Sequence, residues 1–327
     1  MEQILLHNIS KSFQVHKRPE GRLGLLRGMF RRETECIRAL ENISFQINGG
    51  ELVGYIGPNG AGKSTTVKVM SGILTPQAGE CVIMGRTPWK ERVGHVSQIG
   101  VVFGQRSQLW WDVPARDSFA LLKDIYDIPA AAFQERLHEL VSAMDIQPLL
   151  QTPVRQLSLG QRMRCEVAAA LLHRPKILFL DEPTIGLDAV SKLALRDFLK
   201  HENRQSGVTM ILTTHDMDDI EALCSRVMVI GRGNLLFDGG LDMLKQQFSP
   251  YRCIRAVTKI PADEMPIGGA VKTQVAGREW TVWFDPAATP AHSMVAQLAE
   301  QLPLADIMIE RQNIDEIIAA MYREMKI

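Results

Sequence analysis

Eight consecutive residues, Gly57-Pro58-Asn59-Gly60-Ala61-Gly62-Lys63-Ser64, fit the spacing G-x-x-x-x-G-K-[ST], the pattern of a loop that cradles the phosphates of a nucleoside triphosphate. Glycines at 57, 60 and 62 let successive backbone N–H groups turn toward one anion with no Cβ in the way. Lys63 can reach β- and γ-phosphates, and the Ser64 hydroxyl can take a coordination position on Mg²⁺. Before the loop, Glu51 to Ile56 reads as a strand; after it, Thr65 to Met70 opens a helical pattern whose positive end adds to the anion site. A Gly-rich turn that merely contains a lysine is the competing reading, and eight positions in register within a strand–loop–helix setting weigh against it.

Two further stretches carry chemistry. Lys176-Ile177-Leu178-Phe179-Leu180-Asp181-Glu182 is an apolar run that ends in two acids. A buried strand of that kind delivers its last residues to the carboxyl edge of a sheet, where ligands of open α/β sheets bind. There Asp181 can hold the Mg²⁺ that Ser64 also touches, and Glu182 can polarise a water for attack on the γ-phosphate. Taken alone, the two acids would be no more than a polar strand end; the phosphate loop in the same chain favours the chemical reading. Leu157-Ser158-Leu159-Gly160-Gln161 precedes a helix-forming stretch and has the form of a capping box, Ser158 at the N-cap and Gln161 three residues on. It is also a helix N-terminus with a glycine beside it, a second place for an anion.

The elements that must position these residues alternate between strand and helix. Strand patterns fall at 3–9, 43–47, 80–84, 100–103, 177–180, 208–213 and 226–230, which argues for an α/β core with a mostly parallel sheet. From Asp112 onward the period turns helical, with Phe119, Leu122, Ile125 and Tyr126 on one face and Leu137, Leu140, Val141 and Met144 on another. We read this as a helical subdomain, about 112–165, inserted in the core. Between the first two strands lies a basic insertion at about 16–38, where Leu23, Leu26 and Phe30 give a short amphipathic pattern; a lipid or partner surface and a loop that covers the domain are equally consistent with it. Beyond the core at 1–242, residues 243–327 read as a small α+β accessory domain with strands at 253–257, 270–275, 280–284 and 306–309, helices at 291–301 and 313–325, and no chemical motif.

Composition narrows the class. Lys+Arg and Asp+Glu both count 37 in 327 residues, so net charge is zero and no basic excess points to nucleic acid. The longest apolar run, Val167 to Leu172, is far below the ~20 residues a membrane span needs. The first residues lack the layout of a signal peptide, and the five cysteines show no C-x-x-C pair. A cytosolic chain with free thiols is the expectation.

With these motifs in order, the chain resembles the nucleotide-binding subunit of an ATP-binding cassette (ABC) transporter, a P-loop NTPase. Gly57 to Ser64 matches the family's Walker A motif, Ile177 to Glu182 its Walker B, and Leu157 to Gln161 its LSGGQ signature, with Leu159 in place of the first glycine. The resemblance covers about residues 1–240. It implies ATP and Mg²⁺ as ligands, Glu182 as the base, and Gln105, after Val101 to Gly104, as the Q-loop glutamine that senses Mg²⁺. It also implies His215 as the switch histidine, Asp188 of Gly186-Leu187-Asp188 as the D-loop acid that bridges two subunits, and Phe13 as the aromatic that stacks on adenine. Ser158, Gly160 and Gln161 would meet the ATP of a second subunit, so that two chains close head to tail, as a homodimer in the simplest case.

The segment Phe103 to Asp112, with Trp110 and Trp111, resembles a bacterial subgroup that pairs with ABC-2-type membrane permeases, and the helix from Asn313 resembles endings common in that class. The implied protein is an exporter's ATPase, held by permease subunits at the cytoplasmic face of the cell membrane. Two rivals stand beside it: an ATPase that acts on ribosomes or nucleic acid, and the ATPase of an importer.

Overall fold

The computed structural model describes residues 2–16, 34–104, 106–248, 251–261, 265–311 and 314–324. The chain divides into two compact units, 1–239 and 240–327. The amphipathic stretch expected within the basic insertion lies outside the described residues, but its flanks do not. Glu35 to Arg38 belong to a strand that pairs with 12–16, so strands run deep into what the charge pattern marks as an insertion.

Unit 1 is built on two sheets. The first is antiparallel, in the order β2-β1-β4, from β1 (Glu2–His16), β2 (Thr34–Asn48) and β4 (Ala78–Ile83). The second runs β5-β6-β7-β3-β8-β9, from β3 (Leu52–Ile56), β5 (Ile99–Phe103), β6 (Ile177–Asp181), β7 (Thr209–Thr213), β8 (Arg226–Gly231) and β9 (Asn234–Gly240). Its first five strands pair in parallel. That explains why β6 and β7 read as unbroken apolar runs: a central parallel strand is covered on both faces. β9 follows the Arg232-Gly233 turn and has no strand pattern in the sequence, because its apolar run is only Leu235-Leu236-Phe237, bounded by Asn234 and by Asp238-Gly239-Gly240.

Helix α1 (Lys63–Met70) follows β3, and its Val67, Val69 and Met70 are buried in one cluster with Ile4, Ile43, Tyr55 and Met228. The core therefore lies between the two sheets. After the short α2 (Arg92–Val96) come α3 (Ala115–Ile125), α4 (Ala130–Ala143) and α5 (Leu159–Leu171), then α6 (Ala189–Ser206) and α7 (Met217–Leu223). Phe119, Leu122, Leu140, Val141 and Met144 are buried as their spacing predicts, but Ile125 is 62% exposed. α3 ends at that residue, so its side chain has no further turn to pack beside.

A buried ion pair ties this helical segment to the core: Arg136 of α4 meets Glu202 of α6 at 2.5 Å, and its Nε donates to Leu171 O at 3.3 Å. Removing Arg136 would leave the buried Glu202 carboxylate without this counter-charge at a cost of about 3 kcal/mol or more, whereas Arg136 also meets Glu139 at 3.0 Å. Of the five cysteines, Cys81, Cys165, Cys224 and Cys253 are buried and Cys36 on β2 is exposed; burial pushes the Cys81 and Cys165 thiols up to about 12.

Unit 2 holds α8 (Leu241–Phe248) and a four-stranded antiparallel sheet, β11-β12-β10-β13. Its strands are β10 (Arg252–Thr258), β11 (Ala270–Ala276), β12 (Glu279–Phe284) and β13 (Leu304–Arg311). α9 (Ala291–Gln301) sets Met294 and Leu298 against Ile254, Trp280, Val282 and Phe284 on one face of the sheet, and α10 (Ile314–Glu324) packs with α8.

One histidine makes unit 1 sensitive to acid. His173 stacks on Tyr126 with centroids 3.9 Å apart, donates from Nε2 to Ile99 O at 2.9 Å, and leaves Nδ1 with no partner. Burial pulls its pKa down from 6.5 to about 4. The unfolded chain thus takes a proton that the folded chain refuses between those values, and stability present above pH 6.5 is lost as pH falls through the window. Urea unfolding at pH 7 and pH 5 should show the wild type losing about 2 kcal/mol more than His173→Phe, which keeps the stack and removes the titration.

Candidate functional site

The carboxyl edge of the parallel sheet brings together the loop residues from Asn59 to Thr65 with Asp181 and Glu182. Phe103, Asp181 and Thr213 end β5, β6 and β7 in one row, in register with each other. Gly57 to Gly62 leave the end of β3 and lead into α1. Gly62 takes φ +113° at the start of the helix, where a Cβ would lie 2.5 Å from Ala39 O; only glycine fits. A cavity of about 330 Å³ opens between this loop and the strand ends, lined by Asn59, Gly60, Gly62, Lys63, Ser64 and Thr65 on one side and Asp181 and Glu182 on the other.

Lys63 is only 7% exposed and donates from Nζ to Gly57 O at 2.5 Å and Pro58 O at 3.2 Å. Burial lowers its pKa, while the facing carboxylates of Glu182 and Asp181 pull it back up. Ser64 Oγ donates to Asp181 Oδ1 at 3.3 Å, and the Thr213 hydroxyl donates to the same oxygen. A serine hydroxyl beside a carboxylate is a hard oxygen pair of the kind Mg²⁺ takes, with its remaining positions left to waters and phosphate oxygens. Among the described residues there is no group of three or more His, Cys, Asp or Glu that could hold a metal ion.

Glu182 follows the strand with φ +56°, and its N–H donates to Thr213 O at 2.9 Å. Its Oε1 lies 3.5 Å from Nδ1 of His215, which is largely exposed. Gln105 lies outside the described residues, between Gly104 and Arg106. Ser158 is the N-cap of α5: its Oγ accepts from Gln161 N–H at 3.2 Å, and its own N–H donates to Gln161 Oε1 at 2.9 Å, a complete capping box. Asp188 caps α6 by accepting from Ser191 N–H at 2.8 Å. Neither belongs to the cavity. Phe13 pairs with Ile37 across the hairpin and lies under the Lys11 ammonium at 5.7 Å; the neighbouring Ala39, not Phe13, lines the cavity. Trp110 and Trp111 are both exposed, with Arg162 of α5 over the Trp111 ring at 5.6 Å.

Sequence reasoning passed over Thr213, Ala39 and Arg106. Thr213 was within reach, since strand register places it level with Asp181. Ala39 and Arg106 line the cavity through tertiary packing that no local pattern announces.

A glycine-rich loop after a central parallel strand, a buried lysine and two acids across a cavity define a nucleotide-binding P-loop domain. Residues 40–185 match the family model described as ABC transporter, and unit 1 belongs to that family as its ATP-binding cassette. The chain is 35% identical over 211 residues to a probable multidrug ABC transporter ATP-binding protein, YbhF, of Escherichia coli, across 64% of this chain and 36% of that protein. It is 33% identical over 207 residues to the methionine import ATP-binding protein MetN of Geobacillus kaustophilus, across 62% of this chain and 60% of that one. It is 28% identical over 296 residues to the doxorubicin resistance ATP-binding protein DrrA of Mycobacterium tuberculosis, across 87% and 88%. The match thus spans little more than a third of the first of these relatives. Among solved structures, a dimeric ATP-binding cassette in a post-hydrolysis state, bound to ADP and Pi, superposes with TM-score 0.62 at 26% identity, across 73% of this chain and 98% of that one.

The left-handed backbone at Glu182 is testable apart from chemistry. A residue with a Cβ pays about 1 kcal/mol there that glycine does not. Chemical denaturation should therefore find Glu182→Gly more stable than Glu182→Ala by about that amount, the reverse of the order in ordinary strand or helix.

Proposed function

We propose that the chain is the ATP-binding and ATP-hydrolysing subunit of an ABC transporter, and that it drives export through separate ABC-2-type permease subunits. The observation that carries the reading is the pairing, in one chain, of one phosphate loop with one signature helix whose Ser158 and Gly160 lie outside the chain's own cavity. A single copy then holds half of each site. Two copies set head to tail, the loop of one facing the α5 N-terminus of the other, complete both. The dimeric cassette of similar fold supports this arrangement.

Within the cavity, the loop amides and Lys63 bind the β- and γ-phosphates. Ser64, Asp181 and Gln105 would hold Mg²⁺, which neutralises charge on the phosphate oxygens. Glu182 takes a proton from the attacking water as its oxygen bonds to the γ-phosphorus; the bond to the bridging oxygen breaks, and ADP and phosphate leave. His215, beside Glu182, contacts the γ-phosphate side. Phe13 and Asp188 keep the roles the resemblance gives them, at the adenine and at the contact between copies. Trp110 and Trp111, exposed on the segment after Gly104, are suited to meet a permease.

Export is favoured by the likeness to a multidrug transporter protein and a doxorubicin-resistance protein. Import is the second reading, on the strength of the methionine-import relative. No helix among the described residues is long and apolar enough to cross a membrane, and peripheral attachment at the cytoplasmic face through a permease follows from the proposal. The zero net charge offers nothing to a ribosome or nucleic acid partner.

The test has two parts. Glu182→Gln should retain ATP with turnover reduced by two or more orders of magnitude, about the loss expected of a general base; wild-type ATPase rates would remove Glu182 from that role. Mass spectrometry of what co-purifies from detergent-solubilised membranes should find permease subunits, and recovery with ribosomes or DNA alone would sink the transporter reading.

A further inference from the structure

Leu159 is where the 157–161 segment departs from the family pattern, and it sits in an interlock. Gly186 has φ +72°, and a Cβ there would lie 2.2 Å from Leu159 Cδ2 and 2.8 Å from its Cγ. The contact is returned: a Cβ on Gly160 would lie 3.0 Å from Leu187 Cδ2 and 3.5 Å from Gly186 O. Each leucine covers the other segment's glycine, so Leu159-Gly160 and Gly186-Leu187 close on each other like two teeth in two gaps. Leu187 is buried, and Leu159 sits at the rim.

The two sides of the interlock are themselves held firmly. On one side, the capping box fixes Ser158 at the start of α5. On the other, Leu187 N–H donates to Thr184 O at 3.2 Å, and Thr184 Oγ1 donates to buried Asp219 at 2.5 Å, which Arg196 meets at 2.5 Å. Asp188 then caps α6. A displacement of α5's first turn therefore has no slack to take up before it reaches the 182–188 loop. The glycine expected at 159 would leave Gly186 uncovered and remove this contact.

We propose that Leu159 is a positioning residue: by packing over Gly186 it fixes the α5 N-terminus to the 182–188 loop, so that Ser158, Gly160 and Asp188 meet a second copy of the chain as one rigid surface. The inference rests on the head-to-tail dimer proposed above. Loss of either leucine would let the two segments reach the second copy out of register, at a cost in ATP-driven association and not in the chain's own nucleotide binding.

The experiment is sedimentation of the full chain in the Glu182→Gln background with Mg²⁺ and ATP. Expected are an ATP-dependent dimer for the parent, and association weakened about fivefold or more by Leu159→Ala and by Leu187→Ala, the double variant being no worse than the weaker single. Leu159→Met, which can still cover Gly186, should restore it. Binding of a fluorescent ATP analogue to dilute monomer should stay within about twofold of the parent. If the parent dimerises and Leu159→Ala dimerises equally well, or if the two losses simply add, the interlock is overturned while the dimer stands. A parent that stays monomeric removes the dimer and the inference with it. Should Leu187→Ala fail to fold, the comparison of Leu159→Ala with Leu159→Met decides alone.

Discussion

A lysine ammonium buried under a loop of backbone carbonyls has to be balanced, and the carboxyl edge of the sheet is arranged around that requirement. Lys63 is held by Gly57 O and Pro58 O, and the charges that oppose it, Asp181 and Glu182, come from a strand that is not β3's neighbour. β7 lies between them and contributes Thr213, whose hydroxyl donates to the same Asp181 oxygen as Ser64. A buried cation faces, across one cavity, a carboxylate oxygen that accepts from two hydroxyls and a second carboxylate on a left-handed backbone, so each charge is offset by the other.

The parts legible in the sequence were those whose chemistry is local. Eight residues of loop, an apolar strand with two acids and a capping box each announce themselves within a dozen positions. So did the hairpin and helices of unit 2, where Trp280, Val282 and Phe284 alternate with exposed or half-exposed neighbours. What stayed hidden depends on distant pairing. The extension of β1 and β2 into the charged region is set by cross-strand hydrogen bonds, not by hydrophobic alternation. β9 is a strand because β8 lies beside it. Ile125 shows the opposite limit: period alone predicted burial, and the end of α3 left nothing to bury it against.

The departure at Leu159 belongs to the same lesson. As a letter in a motif it is a blemish; in three dimensions it occupies the space that glycine 186 leaves. A pattern of residue types records what faces the ligand and is blind to what faces the neighbouring loop. The Arg136–Glu202 pair is similar, since a buried arginine on a helix with an exposed polar face has no local signature, yet it joins α4 to α6.

The distribution of thiols has a practical side. Four of five cysteines are shut away, and burial raises the pKa of all four, whereas Cys36 is exposed. A thiol-selective reagent that meets the folded chain therefore finds one cysteine, on β2, three residues before the Ala39 that borders the nucleotide cavity. The native sequence is already a single-label protein: a dye or spin probe at Cys36 would report on the mouth of the site with no cysteine removed. Among these thiols, the disulfide open to the folded state is one between the Cys36 residues of two copies.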